Sequence, residues 1–271
     1  MSNQANFDYW LYSTSWAPSF CCTNSKVCNA ERMNGVNALM SHGLWPSYRT
    51  AVSVIDKEGN PASVLYPSFC RADPSVASSV SGLRGRRKHE WSKHGTCSGL
   101  SSSAYFQAES FVATGPQIRA LQDYLQAIVI SHHQESARSL TSRPPIVDVR
   151  AVQAMLGGPD RVAIKTSKFC VLQELTVCLA RSDNASNSVG PQQSCPTHIL
   201  NSDRNSAISM HGCETLVLEN ALAAYGSSAS NRVAGISKDA NSDDKQCVFV
   251  TQALLKELKS RQVPQAKQVV R

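Results

Sequence analysis

Two histidines, a glutamate and a lysine fall within six residues at His89-Glu90-Trp91-Ser92-Lys93-His94, inside the stretch HEWSKHGTC. Such side chains serve either as metal ligands or as proton carriers, and spacing separates the two uses. A zinc-hydrolase helix reads H-E-x-x-H, with both imidazoles one turn apart and reaching one ion. Here the histidines are five residues apart, so at about 100° per residue they diverge by roughly 140°. The pairs one turn apart are His89 with Lys93 and Glu90 with His94. One polar helix face thus carries two imidazoles, a carboxylate and an ammonium, while Trp91 turns toward a core. That face suits proton transfer around an anion, with no metal and no cofactor.

A second histidine, His42, stands in SHGLWPSY on an apolar strand, Val36 to Tyr48, that is broken by Gly43 and Pro46 and leads into a Gly-Leu-Trp-Pro turn. A strand end holds an imidazole rigidly, and Trp45 beside it offers a flat apolar face for a nucleobase. Taken singly, each residue has a plainer reading. His42 and Trp45 read as a turn histidine beside a core tryptophan, and His89 as a capping or packing residue. Glu90 and Lys93 read as a solvated helix pair worth about 0.3–0.5 kcal/mol.

The elements around these motifs come in separate blocks. FDYWLYSTSW (Phe7 to Trp16) reads as a strand buried on both faces and ended by Ala17-Pro18. The Ser-rich segment 71–88, closing on Arg84-Gly85-Arg86-Arg87-Lys88, reads as an exposed loop before the HEWSKH helix, which Gly95 stops. Ala104 to Phe111 predicts a short helix. A longer one starts at Pro116 and carries the apolar stripe Ile118, Leu121, Leu125, Ile128 and Val129. Val149 to Leu156 is helical up to Gly157-Gly158-Pro159. Val162 to Ile164 and Cys170 to Leu179 are strands, the latter alternating Leu175, Val177 and Leu179 onto one face. Residues 181–210 read as polar loop, Glu214 to Tyr225 and Val248 to Lys259 as helices, and Pro264 to Arg271 as a frayed tail. The class is α+β, with an antiparallel sheet core and packed helices.

Lys and Arg exceed Asp and Glu by 27 to 20 in the 271-residue chain, a balance compatible with polyanionic partners. No apolar run approaches the ~20 residues needed to span a bilayer, so no membrane partner is expected. Ten cysteines without C-x-x-C pairs read as disulfides of an oxidising compartment. Asn184-Ala185-Ser186 is a glycosylation sequon. The start, Met1-Ser2-Asn3-Gln4, lacks an apolar signal core, so a mature or trimmed form with an added Met is expected.

HGLWP followed about forty residues later by HEW-x-KHGTC resembles the two active-site segments of the ribonuclease T2 family, in that order. Trp16-Ala17-Pro18-Ser19-Phe20-Cys21 resembles that family's first strand and cysteine, LQELTVCL (Leu172 to Leu179) a late strand, and Cys195-Pro196 the cysteine after it. The resemblance covers about residues 7 to 200. It implies a ribonuclease T2-like, disulfide-stabilised catalytic domain over 1–200. Residues 201–271 are then a C-terminal extension packed on the same domain.

The activity it implies is that of a secreted or acidic-compartment (lysosomal or vacuolar) endoribonuclease, monomeric and without a metal. It would cleave single-stranded RNA, not DNA, through a 2′,3′-cyclic phosphate to 3′-phosphate ends. His94 then looks like the base and His42 like the acid, with Glu90 and Lys93 as transition-state stabilisers. His89 looks like a phosphate ligand, and Trp45 like a base-stacking residue. Ser47 stands where family members often have Asp or Asn, which implies low base specificity. The run Gly85-Arg86-Arg87-Lys88 stands where many members have an aromatic residue, and reads equally as phosphate affinity or as a solvated loop. The resemblance pairs Cys70 with Cys97, Cys178 with Cys195, Cys170 with Cys213 or Cys247, and Cys28 with Cys21 or Cys22. His132, His133, His198 and His211 match nothing and are expected at the surface or at helix ends. Arg138 and Arg143 offer only charge. Two other readings are a catalytically silent binding protein on this scaffold and a metallohydrolase using His89, Glu90 and His94.

Overall fold

The computed structural model describes residues 6–23, 37–55, 58–70, 83, 85–136, 144–182 and 189–219. In chain order the elements are β1 (Tyr9–Trp16), α1 (Ala17–Thr23), β2 (Leu39–Ser47), β3 (Val52–Ile55) and β4 (Pro61–Val64). Then follow α2 (Gly85–Lys93), a 3-10 turn (Gly95–Cys97), α3 (Ser102–Ala113), α4 (Pro116–Ser136), β5 (Ile146–Asp148) and α5 (Val149–Met155). The last are β6 (Val162–Thr166), β7 (Leu172–Arg181), β8 (Val189–Gln193), α6 (Thr197–Leu200), a 3-10 turn (Asp203–Asn205), α7 (Ser206–Ser209) and β9 (Thr215–Val217).

The main sheet has five strands in the order β2-β1-β7-β6, all antiparallel, with β8 beside the far end of β7. All eight residues of β1 are buried, because this central strand is covered on both faces. The period of two divides its side chains. Trp10, Tyr12 and Trp16 join Leu175, Val177 and Leu179 of β7 in the larger core, under Val112, Leu121, Leu125, Val129 and Val152 of the helices. Tyr9 and Leu11 face the other way, with Trp45, Ala163, Cys178, Cys195 and Ile199. The expected α4 stripe holds: Leu121, Leu125 and Val129 are fully buried, each worth about 1.5–3 kcal/mol.

β2 departs from the sequence expectation. It runs unbroken through Gly43 and Pro46, with no turn after His42. It is an edge strand, so the N–H that Pro46 lacks leaves no ladder bond unmade. A Cβ on Gly43 would overlap Trp45 Nε1 and Glu90 Oε2, so glycine here admits the HEWSKH helix to the strand. The register slips at Ser13/Thr14: Ser13 opposes Gly43 and Thr14 opposes Ser41. His42 is therefore the extra residue of a β-bulge, a device that re-aims a side chain.

Gly85 to Lys88 form the first turn of α2, not loop. Residues 181–210 hold β8, α6, the Asp203–Asn205 turn and α7, where a polar loop was expected. The helix expected from Glu214 begins instead as β9, whose Thr-Leu-Val pairs with β5. The Cys170–Cys213 bridge and the Val217 N–H to Cys170 carbonyl bond (2.8 Å) hold β9 there. Cys70–Cys97 and Cys178–Cys195 form as expected, and Cys170 takes Cys213. Cys21 is disulfide-bonded as well. The Cys22 side chain, Cys28, Cys247, Asn184, Arg138, Arg143, the expected helix Val248 to Lys259 and the tail lie outside the described residues. Among the described residues no helix is long and apolar enough to cross a membrane.

Candidate active site

α2 is strongly polar and is held by a single apolar anchor. Trp91 is buried against Tyr105, ring centroids 5.7 Å apart, and the Tyr105 hydroxyl donates to the Leu44 carbonyl at 2.6 Å. This ties the helix to β2 through α3. Arg86 adds a bond from its guanidinium to the His42 carbonyl and a 3.7 Å ion pair with Glu109, and Arg87 lies 4.5 Å over the Phe106 ring. Arg86 and Arg87 of the basic run therefore have partners within the fold. At the helix C-terminus the Phe69 N–H caps the Lys93 carbonyl at 2.9 Å, and the Cys70–Cys97 bridge fixes the same segment. Gly95 follows because a Cβ there would strike the Trp91 ring.

A cleft of about 290 Å³ opens on the sheet face opposite the larger core. His42, Trp45, Ser47, His89, Glu90, Lys93 and His94 all line it. The divergence of His89 and His94 on an ideal helix does not separate them, because His94 lies just past the end of α2. The indole of Trp45 links the two histidine motifs. Its centroid is 5.2 Å from the His42 ring, edge-on, and 5.3 Å from the His94 ring. Its Nε1 donates to Glu90 Oε2 at 2.7 Å. Trp45 is only 6 % exposed and has the Arg204 guanidinium 4.9 Å over its ring. The open aromatic face in the cleft belongs to Tyr66, 42 % exposed, with His94 at 5.7 Å and the Lys93 ammonium 5.7 Å over it. Ser47 is buried and its hydroxyl donates to the Trp45 carbonyl.

The two imidazoles meet opposite surroundings. His94 is buried, and among the described residues its Nδ1 has no hydrogen-bond partner. Desolvation, then the charges of Lys93, His89, Arg204 and His42, push its pKa down from 6.5 to about 3. It is neutral at any ordinary pH. His42 is more open, and its Nδ1 bonds Glu174 Oε2 at 2.6 Å. Burial alone would raise the Glu174 carboxyl, but the hydrogen bond and charge of His42, then Ser13 and Arg204, outweigh it and hold it below its usual range.

Among the cleft residues given no site role from the sequence are Tyr66, Glu174's partner Arg204, Asp203, and His198, whose Nε2 lies 3.4 Å from the Tyr9 hydroxyl. His198 was expected at the surface or at a helix end; it lies half-buried in the short helix α6, which places it on the sheet's cleft face. Glu174 is a further omission; its alternation with Leu175 along β7 signalled only that it faces away from the larger core. His211 bonds the Thr166 hydroxyl at 3.1 Å and is away from the cleft.

Comparison with known proteins adds a ribonuclease of Aeromonas hydrophila, 34% identical over 110 residues, 38% of this chain and 44% of that protein. Intracellular ribonuclease LX of Solanum lycopersicum is 32% identical over 108 residues, 38% of this chain and 46% of the relative. The chain thus spans about half the length of these curated relatives. The RNase-related protein from Calystegia sepium, a solved structure, aligns at 17% identity and a TM-score of 0.42, covering 71% of this chain and 95% of that one. The pattern that defines the Ribonuclease T2 family matches residues 7–188, which take in both histidine motifs, β1 and β7. Over two thirds of its length, then, the chain is built as that family is, and it belongs to the ribonuclease T2 family.

Proposed function

We propose that the chain is a metal-independent endoribonuclease that cleaves single-stranded RNA by transphosphorylation. The observation that carries this reading is one cleft lined by two imidazoles in contrasting environments, one neutral and buried, the other bonded to a carboxylate. Two imidazoles in such unlike surroundings divide into base and acid.

RNA brings its own nucleophile. Neutral His94 takes the ribose 2′-hydroxyl proton, and the 2′-oxygen attacks phosphorus. His42 gives a proton to the departing 5′-oxygen, leaving a 2′,3′-cyclic phosphate. In the second step water attacks the cyclic ester, the two imidazoles exchange roles, and a 3′-phosphate results. Lys93 offsets the negative charge that builds on the phosphorane, and His89 at the cleft rim is a ligand for the phosphate. Glu90, bonded to Trp45 and one turn from His94, orients the base and stabilises the transition state. Tyr66 presents the exposed face for a base, with Trp45 as the wall behind it. Ser47 is buried and its hydroxyl is donated to the Trp45 carbonyl, so no carboxylate discriminates between bases at this position and base preference is weak. DNA lacks the 2′-hydroxyl and is not cleaved.

The three described disulfides support an oxidising setting, outside the cell or in the lumen of an acidic compartment. The protein acts as a monomer on RNA, with residues 1–200 as the catalytic domain and the described part of the C-terminal extension, 201–219, packed on it.

The test is a series of dinucleoside phosphates in EDTA, with products resolved over time. Cyclic phosphates should appear first and 3′-phosphates later, and His42→Ala and His94→Ala should each cost about 10²–10⁴-fold. Full activity in His94→Ala, or loss of wild-type activity in EDTA, overturns the reading.

A further inference from the structure

We propose that Glu174 and Arg204 form a positioning pair for His42, and that the segment after the family-matched residues thereby completes the site. The proposal rests on His42 acting as the acid. A side chain in a bulge of an edge strand has two free torsions, and the single edge-on contact with Trp45 does not set which ring nitrogen faces the cleft. Here the ring is fixed from below. His42 Nδ1 bonds Glu174 Oε2 at 2.6 Å, and Arg204 bonds the other oxygen, Oε1, at 3.2 Å. Glu174 projects from β7 and is 8 % exposed, and its two oxygens are held by fixed partners, His42 on one and Arg204 on the other, with Ser13 alongside. With Nδ1 donated to the carboxylate, the proton that His42 delivers is the one on Nε2, at the opposite edge of the ring.

Arg204 is in place because of what flanks it. The Asp203–Asn205 turn and Ser206 lie along the outer edge of β6. The Asn205 Oδ1 accepts from the Ile164 N–H at 3.0 Å, and the Ser206 Oγ from the Thr166 N–H at 2.8 Å. Side chains thus satisfy the edge that another strand would pair, and this register aims Arg204 over Trp45 and at Glu174. The family match ends at residue 188. The guanidinium that balances Glu174 therefore comes from a part of the chain beyond it.

The pair acts only through the acid, so its removal shows only where an acid is needed. A dinucleoside phosphate has a poor leaving group and needs His42. Uridine 3′-(4-nitrophenyl phosphate) expels nitrophenolate and does not. Glu174→Gln keeps an acceptor but not the charge, and should lower kcat on the dinucleotide by about 10- to 100-fold with little change in KM, within what general-acid catalysis supplies. On the activated ester it should fall less than about threefold, because the step that the acid assists is then easy. Retained activity on the ester also shows that the variant is folded. Arg204→Met should discriminate in the same direction with a smaller loss. Equal losses on both substrates in both variants refute the proposal, as does no loss in either. His42→Ala serves as the reference. If it too fails to discriminate, the acid role of His42 falls. If it discriminates and the Glu174 and Arg204 variants do not, the positioning pair alone falls.

Discussion

Replacing His94 by Gln should remove a fixed part of the protein's sensitivity to acid. The His94 ring is 6 % exposed and its Nδ1 lacks a partner among the described residues. Desolvation is the largest cause of its lowered pKa, followed by the charges of Lys93, His89, Arg204 and His42. The unfolded chain protonates this imidazole near 6.5, while the native state resists down to about 3. Above pH 6.5 both states are neutral and nothing is lost. Below it the unfolded state binds the extra proton, so native stability falls by about 1.4 kcal/mol per pH unit. By pH 4 that amounts to about 3 kcal/mol, and near pH 3 to about 4 kcal/mol. His94→Gln has no proton to gain. Urea unfolding of wild type and variant, disulfides intact, at pH 7 and pH 4 isolates the effect, because carboxylates titrate alike in both proteins and cancel. The wild type should lose about 3 kcal/mol more than the variant between the two pH values. Parallel losses would show that the imidazole is hydrated in the native state, and the reason given for its neutrality would be wrong.

With His94 as the proposed base, kcat/KM should persist at pH 4 and decline only toward pH 3, and Lys93→Met, by removing a neighbouring cation, should move that acid limb to higher pH. Glu219, next to the Trp16 anchor, carries the opposite sign. Burial pushes its carboxyl up to about 7, so the stability it confers is full below 4.5 and lost as pH rises to about 7; Glu219→Gln should flatten the Tm profile across that window. Gly95→Ala drives a methyl into the Trp91 ring and should destabilise by about 1–3 kcal/mol in thermal melts, with activity falling alongside because His94 precedes it. Replacing Cys70 and Cys97 by Ser opens a loop of 27 residues and should cost about 3.5 kcal/mol on the chain-entropy model, while releasing the segment that caps α2.

Elements whose local pattern agrees with their tertiary setting were legible in the sequence. β1 is apolar and aromatic throughout and is buried throughout; the stripe on α4 is the face it buries. The two histidine motifs were legible as residue types, and both line the cleft. What was hidden depends on distant partners. Gly43 and Pro46 read as breakers, yet an edge position tolerates the proline and an approaching tryptophan and glutamate need the glycine. Residues 203–206 have no periodicity at all, because their conformation is set by bonds to the edge of β6 some forty residues earlier. Thr215–Val217 followed a helical pattern in one dimension but is held as a strand by a bridge to Cys170. Arg204 could not be placed from sequence for the same reason: nothing local says that Asn205 and Ser206 dock on a strand.

Three parts of the chain with different mechanical character meet at the Trp45 indole: a strand bulge carrying His42, a helix end carrying His94, and a side-chain-docked turn carrying Arg204. A flat ring bonded through Nε1 to Glu90 cannot rotate without breaking that bond, so it stands as a fixed wall in contact with both imidazoles. Burial keeps His94 neutral at a cost to acid stability, and the chain offsets that cost elsewhere, with Trp91 and Tyr105 anchoring the helix and a disulfide holding its far end. His42 needs the reverse, a solvent-facing ring with a charged partner, and an edge strand supplies the opening while β7 supplies the carboxylate. The asymmetry between the two histidines is therefore one of depth: the His94 ring is buried in the cleft and the His42 ring lies at the rim of the sheet, and the proposed division into base and acid rests on that difference.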